Sequence, residues 1–162
     1  MENQQAGDNG VGEQYLTFAL DTEQYGIRIT HVKEILGLLP LTRVPRTRPD
    51  VRGVVNLRGK IIPIVDMRRK FGLPDAEDTR STCIIVVPHG PFEIGIVVDS
   101  VSEVVNIPDG QIDEPPDMEE GSNTRFLMGI ARTTDGIRLL LNIDEVLSEN
   151  LVDGDRSRKA VA

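Results

Sequence analysis

Two stretches of this chain repeat one pattern at a single offset, and that repetition constrains the fold more than any other feature. Tyr25-Gly26-Ile27-Arg28-Ile29-Thr30-His31-Val32-Lys33-Glu34-Ile35 lines up with Ile94-Gly95-Ile96-Val97-Val98-Asp99-Ser100-Val101-Ser102-Glu103-Val104. Gly26 matches Gly95, Ile27 matches Ile96, Val32 matches Val101 and Glu34 matches Glu103. Further on, Gly53-Val54-Val55 aligns more weakly with Gly129-Ile130-Ala131, and Val65-Asp66 with Ile143-Asp144. A repeat of this kind is one supersecondary unit used twice, here about 65 residues per copy. Short β-branched runs punctuated by turn residues point to small closed or nearly closed β-barrels.

In chain order, residues 1–13 are polar and rich in Gly, Asn and Gln, the composition of a disordered tail. Gln14 to Leu20 and Gln24 to Ile29 alternate as a strand pair around Asp21-Thr22-Glu23. Val32, Ile35 and Leu36 fall at i, i+3, i+4, which predicts a single turn of helix, and Val101, Val104 and Val105 repeat that spacing. Pro40, Pro45 and Pro49 interrupt the next stretch. Met67 to Phe71 reads as a short helix stopped by Gly72 and Pro74. The acidic segment from Asp75 to Ser81 is the expected boundary between a first barrel, 14–80, and a second, 81–150. Thr82 to Val87 is a continuous apolar strand, so burial on both faces is expected. Phe92 to Val98 returns, Pro108 to Thr124 is an acidic loop, and Arg125–Ala131 with Ile137–Leu141 forms a last strand pair. Asn142 is placed to cap a closing helix from Ile143 to Leu147, before a polar tail at 151–162.

Between the copies lies Val51 to Asp66, which reads as two strands joined by Asn56-Leu57-Arg58-Gly59. Asn and Gly tolerate left-handed backbone angles, which suits the ends of a tight turn. Arg58 sits at its tip, where a guanidinium either fans into solvent or forks onto a carboxylate.

Composition narrows the function classes. The chain has 162 residues, 39% hydrophobic but only 4% aromatic and without Trp, so Val, Ile and Leu must fill the core. A formal charge of −8 opposes binding to a phosphate backbone. The basic residues cluster, however: Arg43, Arg46, Arg48, Arg52, Arg58, Lys60, Arg68, Arg69 and Lys70 lie together with only Asp50 and Asp66 nearby in sequence. A small-barrel nucleic-acid binder is therefore the rival reading, although no stacking aromatics interleave those cations. The alternative use of such an uneven charge is steering between partners. Cys83 is single, excluding an intrachain disulfide and fitting a reducing compartment. No apolar run approaches the roughly 18 residues of a membrane span, and residues 1–14 lack a signal-peptide pattern. A cytoplasmic protein without membrane insertion is expected.

Catalytic patterns are missing. His31 and His89 lie in different copies and neither has metal-ligand spacing. Cys83 sits inside an apolar strand, as a small buried hydrophobe does. There is no P-loop and no GxGxxG. Asp66, Asp99 and Asp144 follow strands and are placed to cap turns. The expectation is a non-catalytic protein with no cofactor and no metal.

Gly53-Val54-Val55-Asn56-Leu57-Arg58-Gly59, then Pro63-Ile64-Val65-Asp66-Met67-Arg68 and Phe71, resembles the signature of the CheW family of bacterial chemotaxis adaptors. Tyr25-Gly26-Ile27 with Val32-Lys33-Glu34-Ile35, and Gly95 to Asp99 with Val101 and Glu103-Val104, resemble it too. The resemblance covers residues 14 to 149, with Ile64 and Met67 where Val and Leu are usual. It implies a mainly β fold of two intimately packed five-stranded SH3-like barrels with a few short helices. It also implies two partners, the regulatory domain of the histidine kinase CheA and the cytoplasmic tip of chemoreceptors, in arrays on the inner face of the membrane. A helical tip needs an apolar groove, and Val32, Ile35, Val101 and Val104 are the matched positions that would line one or else belong to the core. The expected partner-binding residues are Val32, Glu34, Ile35, Gly53, Asn56, Arg58, Val101 and Val104. By the same resemblance Glu34 and Arg58 form a partly buried ion pair that fixes the turn.

Overall fold

The computed structural model describes residues 12–116 and 123–148. Its strands are β1 (Gly12–Leu20), β2 (Glu23–Arg28), β3 (Glu34–Gly37), β4 (Val51–Leu57), β5 (Lys60–Asp66), β6 (Cys83–His89), β7 (Phe92–Val98), β8 (Ser100–Pro108), β9 (Ile112–Asp113), β10 (Leu127–Thr133) and β11 (Gly136–Leu141). One-turn helices α1 (Met67–Lys70) and α2 (Ile143–Val146) follow β5 and β11. The architecture is mainly β, in two sheets, as expected.

The six-stranded sheet has the order β9-β10-β11-β2-β1-β8, and the five-stranded sheet the order β3-β6-β7-β5-β4. Each sheet thus takes the first hairpin of one copy and the last hairpin of the other. The exchange occurs through two parallel pairings, β11 with β2 and β5 with β7. At those crossings Leu140 faces Gly26 and Ile64 faces Gly95. A Cβ at Gly26 would come within 3.0 Å of Leu140, and one at Gly95 within 2.6 Å of Ile64 and 2.8 Å of Ile84. The matched glycines therefore leave room for the side chains that reach across from the other copy's strand.

The remaining pairings obey the same pseudo-symmetry. Ile35 faces Ile85 in one sheet and Val104 faces Leu16 in the other. Register shifts occur between Val51 and Gly53 and between Leu127 and Gly129. Asp66 caps α1 by accepting from Arg68 N and Arg69 N, and Asn142 caps α2 by accepting from Glu145 N. Asp66 thus corresponds to Asn142, two positions from the alignment with Asp144 expected above.

Three expectations change. Strand pairing does not follow a cut between 80 and 81, because β6 and β7 complete the sheet built on β3, β4 and β5. The predicted helical turns are not helices: after a 3-10 turn at Ile29–His31, Glu34 to Gly37 is extended, and Ser100 to Pro108 is one long strand. Their β-branched residues suit a ladder, and both runs find a partner strand, β6 and β1. Part of the acidic loop is ordered as the end of β8, a 3-10 turn and β9. Gly12 and Glu13 belong to β1, whereas the rest of the expected N-terminal tail and the 151–162 tail lie outside the described residues.

Alternation in the doubly buried strands feeds three cores. Ile85 and Val87 on β6, with Ile94, Ile96 and Val98 on β7, join Leu16, Phe18 and Leu20 of β1 in a cluster between the sheets. Ile84, Val86 and Val97 point the other way, into a cluster with Val55, Ile62 and Ile64. Tyr15, Ile107, Ala131 and Leu140 fill the opposite barrel. Phe18, Tyr25, Phe71 and Phe126 stack in series at 5.7–5.8 Å between ring centres, spending most of the chain's few aromatics on the seam.

Candidate functional site

The turn joining β4 and β5 has two residues, Arg58 and Gly59, between the paired Leu57 and Lys60. Their φ values are +53° and +89°. Positive φ at both positions gives the twist that right-handed strands need. Glycine adopts it freely, whereas an L side chain in this region costs roughly 1–2 kcal/mol relative to right-handed backbone. Asn56 closes the turn by accepting a hydrogen bond from Gly59 N at 2.9 Å.

Arg58 projects from this turn onto Glu34 of β3, at the far edge of the same sheet. Its Nη1 donates to Glu34 Oε2 at 3.2 Å and its Nη2 donates to Oε1, a fork on one carboxylate. The Arg58 hydrogen bond holds the Glu34 carboxyl below its usual range, and Glu34 raises the Arg58 guanidinium in turn. The pair forms as expected, but on the surface: the Arg58 side chain is 65% exposed and that of Glu34 27%. A pair this wet orients a side chain more than it stabilises a fold.

Gly53 acts from below. Its φ is +148°, and a Cβ there would lie 2.9 Å from the Thr42 carbonyl carbon and 3.3 Å from Arg43 Cα. Thr42 and Val54 exchange two backbone hydrogen bonds at 2.8 and 2.9 Å, so this glycine lets residues 41–43 close the barrel over β4. Ile35 is 44% exposed beside Glu34, and its counterpart Val104 is 46% exposed on β8. Val32 and Val101 are half-buried against the cluster between the sheets, on the rim of the core. The structure therefore brings Glu34, Ile35, Asn56, Arg58 and Gly53 together around one barrel. Val101 and Val104 lie on the edge strand of the other sheet.

Other surface residues were not singled out in the sequence. Ile61 is 63% exposed and Phe92 70%, and both line one groove with Pro63, Pro88 and Pro91. Glu93 accepts from Lys33 Nζ at its rim, and Lys60 Nζ stands 3.6 Å away. The available signal was the Ile61-Ile62 doublet, since strand alternation must turn one of the two outward.

Most of the basic stretch is neutralised rather than free, Arg43 and Arg46 being the exposed exceptions. Arg48 meets Asp50, Arg52 meets Asp66 and Asp78, Lys60 meets Glu93, Arg68 meets Asp99, Arg69 meets Asp75 and Lys70 meets Asp50, each within 4.0 Å. Several of these carboxylates are remote in sequence, so the clustering of cations overstated the local field. The two histidines converge on one side chain: His31 Nε2 is 3.8 Å and His89 Nδ1 4.0 Å from the oxygens of Asp144. Among the described residues no group of three His, Cys, Asp or Glu side chains is arranged to hold a metal ion. Burial pushes the Cys83 thiol up, away from the reactive thiolate.

The family profile described as CheW-like domain matches residues 14–151. A curated relative, chemotaxis protein CheW of Klebsiella aerogenes, is 38% identical over 138 residues, covering 85% of this chain and 83% of that protein. Chemotaxis protein CheW of Bacillus subtilis is 32% identical over 151 residues, covering 93% and 94%. Among solved structures, the scaffolding protein TtCheW from Thermoanaerobacter tengcongensis superposes with a TM-score of 0.79 at 31% identity, covering 86% of this chain and 95% of that one.

Proposed function

Because the chain belongs to the CheW-like family, we propose that it is a non-catalytic adaptor of bacterial chemotaxis, coupling chemoreceptors to the histidine kinase CheA. In finer terms, it docks on the regulatory domain of the kinase and on the cytoplasmic hairpin tip of the receptor. It works in the cytoplasm, within receptor arrays at the inner face of the membrane. No helix among the described residues is long and apolar enough to cross a membrane, which accords with attachment through partners.

The observation that carries this reading is Arg58. A turn that glycine or asparagine would form without strain keeps an arginine instead, held in left-handed backbone and forked onto Glu34. Local rules broken at an exposed, oriented side chain fit a contact residue better than a structural one. We assign Arg58, Glu34 and Ile35 to direct contact, and Asn56 and Gly53 to shaping the turn and the strand beneath it. Val32, Val101 and Val104 supply apolar surface along the two matched edges. Ile61 and Phe92 extend the exposed apolar area of the first barrel. Neutralisation of most of the basic stretch leaves the nucleic-acid reading without a favouring observation.

Co-sedimentation of the purified chain with a receptor fragment and kinase, scored by kinase activity, tests the reading. Binding to both partners and a rise in kinase activity are expected, and binding to neither overturns the adaptor role. Glu34→Arg and Arg58→Glu should each weaken binding, and the double swap should recover part of it. A double swap that binds no better than either single variant removes the pair from the site.

A further inference from the structure

The pseudo-symmetry that matches Gly53 to Gly129 and Asp66 to Asn142 also matches Ile62 to Arg138. Ile62 is a fully buried member of its barrel's core. Arg138 occupies the corresponding place in the other barrel, with its side chain only 9% exposed. Its Nε is buried without a hydrogen-bond partner, and its Nη2 has Asp135 Oδ2 at 3.9 Å, beyond hydrogen-bond length. A buried guanidinium left this far from its acceptors is costly, and an apolar residue of similar volume would be the cheaper solution for a core.

Arg138 lines an open cleft of about 490 Å³ at the mouth of the six-stranded barrel. That volume suits a small molecule. Val105 and Ile107 give the cleft apolar surface, and Asn106, Gln111 and Thr134 supply amide and hydroxyl groups on its walls. Arg132, also on the wall, is already held by Asp113 at 2.8 Å. Two carboxylates border the cleft, Glu103 and Asp135, and the latter is 73% exposed. Both are exposed to solvent, which weakens the hold of Asp135 on the buried cation.

We propose that this cleft binds a small carboxylate ligand through Arg138. A planar guanidinium matches a carboxylate through two parallel hydrogen bonds, a geometry Asp135 does not reach from the rim. The ligand's carboxylate takes the position that Asp135 approaches from solvent. A slight outward swing of Arg138 turns its Nε toward the same group and satisfies it. The amide and hydroxyl groups of the walls then meet polar substituents on the ligand. The inference is independent of the adaptor role, since none of these residues belongs to the Arg58 turn.

Isothermal titration of the whole chain with succinate tests it, with uncharged succinamide and inorganic phosphate as parallel probes. Saturable succinate binding is expected, with no binding of succinamide and weaker binding of phosphate. Arg138→Gln should raise the succinate Kd at least tenfold, and Asp135→Asn should lower it by removing the competing carboxylate. Should Arg138→Gln fail to fold, the Asp135→Asn arm decides by itself, because that exposed residue carries no core contact. Failure of succinate to bind, equal binding in Arg138→Gln, an unchanged Kd in Asp135→Asn, or phosphate binding more tightly than succinate each overturns the proposal.

Discussion

Replacing Gly53 by alanine isolates what the bulge contributes. The added Cβ would fall inside contact distance of the Thr42 carbonyl, 2.9 Å from its carbon, and the obstacle is backbone that cannot rotate away. The φ of +148° adds strain of its own, of order 1–3 kcal/mol for a residue with a Cβ. Relief requires residues 41–43 to move, which breaks the two hydrogen bonds between Thr42 and Val54. Each is worth about 0.5–1.5 kcal/mol net. The sum is about 2–6 kcal/mol, or a fall in Tm of roughly 4–24 °C for a chain of this size. The corresponding Gly129 provides the control. A Cβ there meets the Ile112 Cγ2 methyl at 2.5 Å and stands 3.4 Å from the Asp113 carbonyl oxygen, and no left-handed φ is involved. Ile112 is a half-buried side chain that can turn, so Gly129→Ala should cost about 1 kcal/mol. Urea unfolding followed by far-UV circular dichroism measures both. Equal destabilisation of the two variants would refute the argument from rigid backbone.

Arg58→Asn should raise the midpoint of unfolding, because asparagine enters left-handed backbone more easily than arginine, while weakening partner binding in the sedimentation assay. A stabilised variant that binds normally removes Arg58 from the site. Asp99 joins the two copies through Arg68, at 2.8 and 2.7 Å, and accepts from Asp21 N at 2.8 Å. The Arg68 hydrogen bonds hold its carboxyl below the usual range. A lowered folded-state value contributes stability that is present above the unfolded value near 3.9 and lost as pH falls through the folded one. Asp99→Asn should therefore destabilise at pH 7, by about 1 kcal/mol for a partly buried pair, and the gap from the parent should shrink as the pH falls below about 4. A gap independent of pH contradicts that assignment.

The hairpin from Val51 to Asp66 was legible because its signals are local: β-branched strands, Asn and Gly at the turn, and Asp as the cap of α1. The repeat was legible because glycine is demanded where strands of the two copies cross. The turns expected at Val32–Leu36 and Val101–Val105 failed for a physical reason. Over five residues an i, i+3, i+4 pattern does not distinguish period 3.6 from a strand with one outward apolar side chain, and Ile35 and Val104 are those side chains. Charge was misread because ion pairs such as Arg68 with Asp99 and Lys33 with Glu93 span segments far apart in sequence. Pairing of the Arg58 turn with Glu34 came from family resemblance, and no spacing rule would have supplied it. Ile61 and Phe92 stayed hidden because exposure of one apolar residue in an apolar strand depends on which neighbour covers it.

Exchange of hairpins between the copies is the feature that local sequence could not reveal, and it decides how the chain can be divided. A fragment of residues 12–80 keeps β3, β4 and β5 but loses β6 and β7, leaving β3 without its ladder and β5 without its parallel neighbour. Its β1–β2 hairpin would also lose β8 and β11. A two-stranded hairpin with Leu16, Phe18 and Leu20 on one face is not stable alone in water. Residues 34–98, by contrast, contain every strand of the five-stranded sheet and all of its ladders. They still expose the side of β6 and β7 that faces the central cluster, so solubility will be limited. The 34–98 fragment should therefore show a strand-type circular dichroism spectrum and a cooperative, if weak, melt, whereas 12–80 and 81–150 should each be unfolded and regain structure only when mixed. Cooperative folding of 12–80 alone would mean that the parallel crossings contribute little, and the account of the two glycines would fall with it.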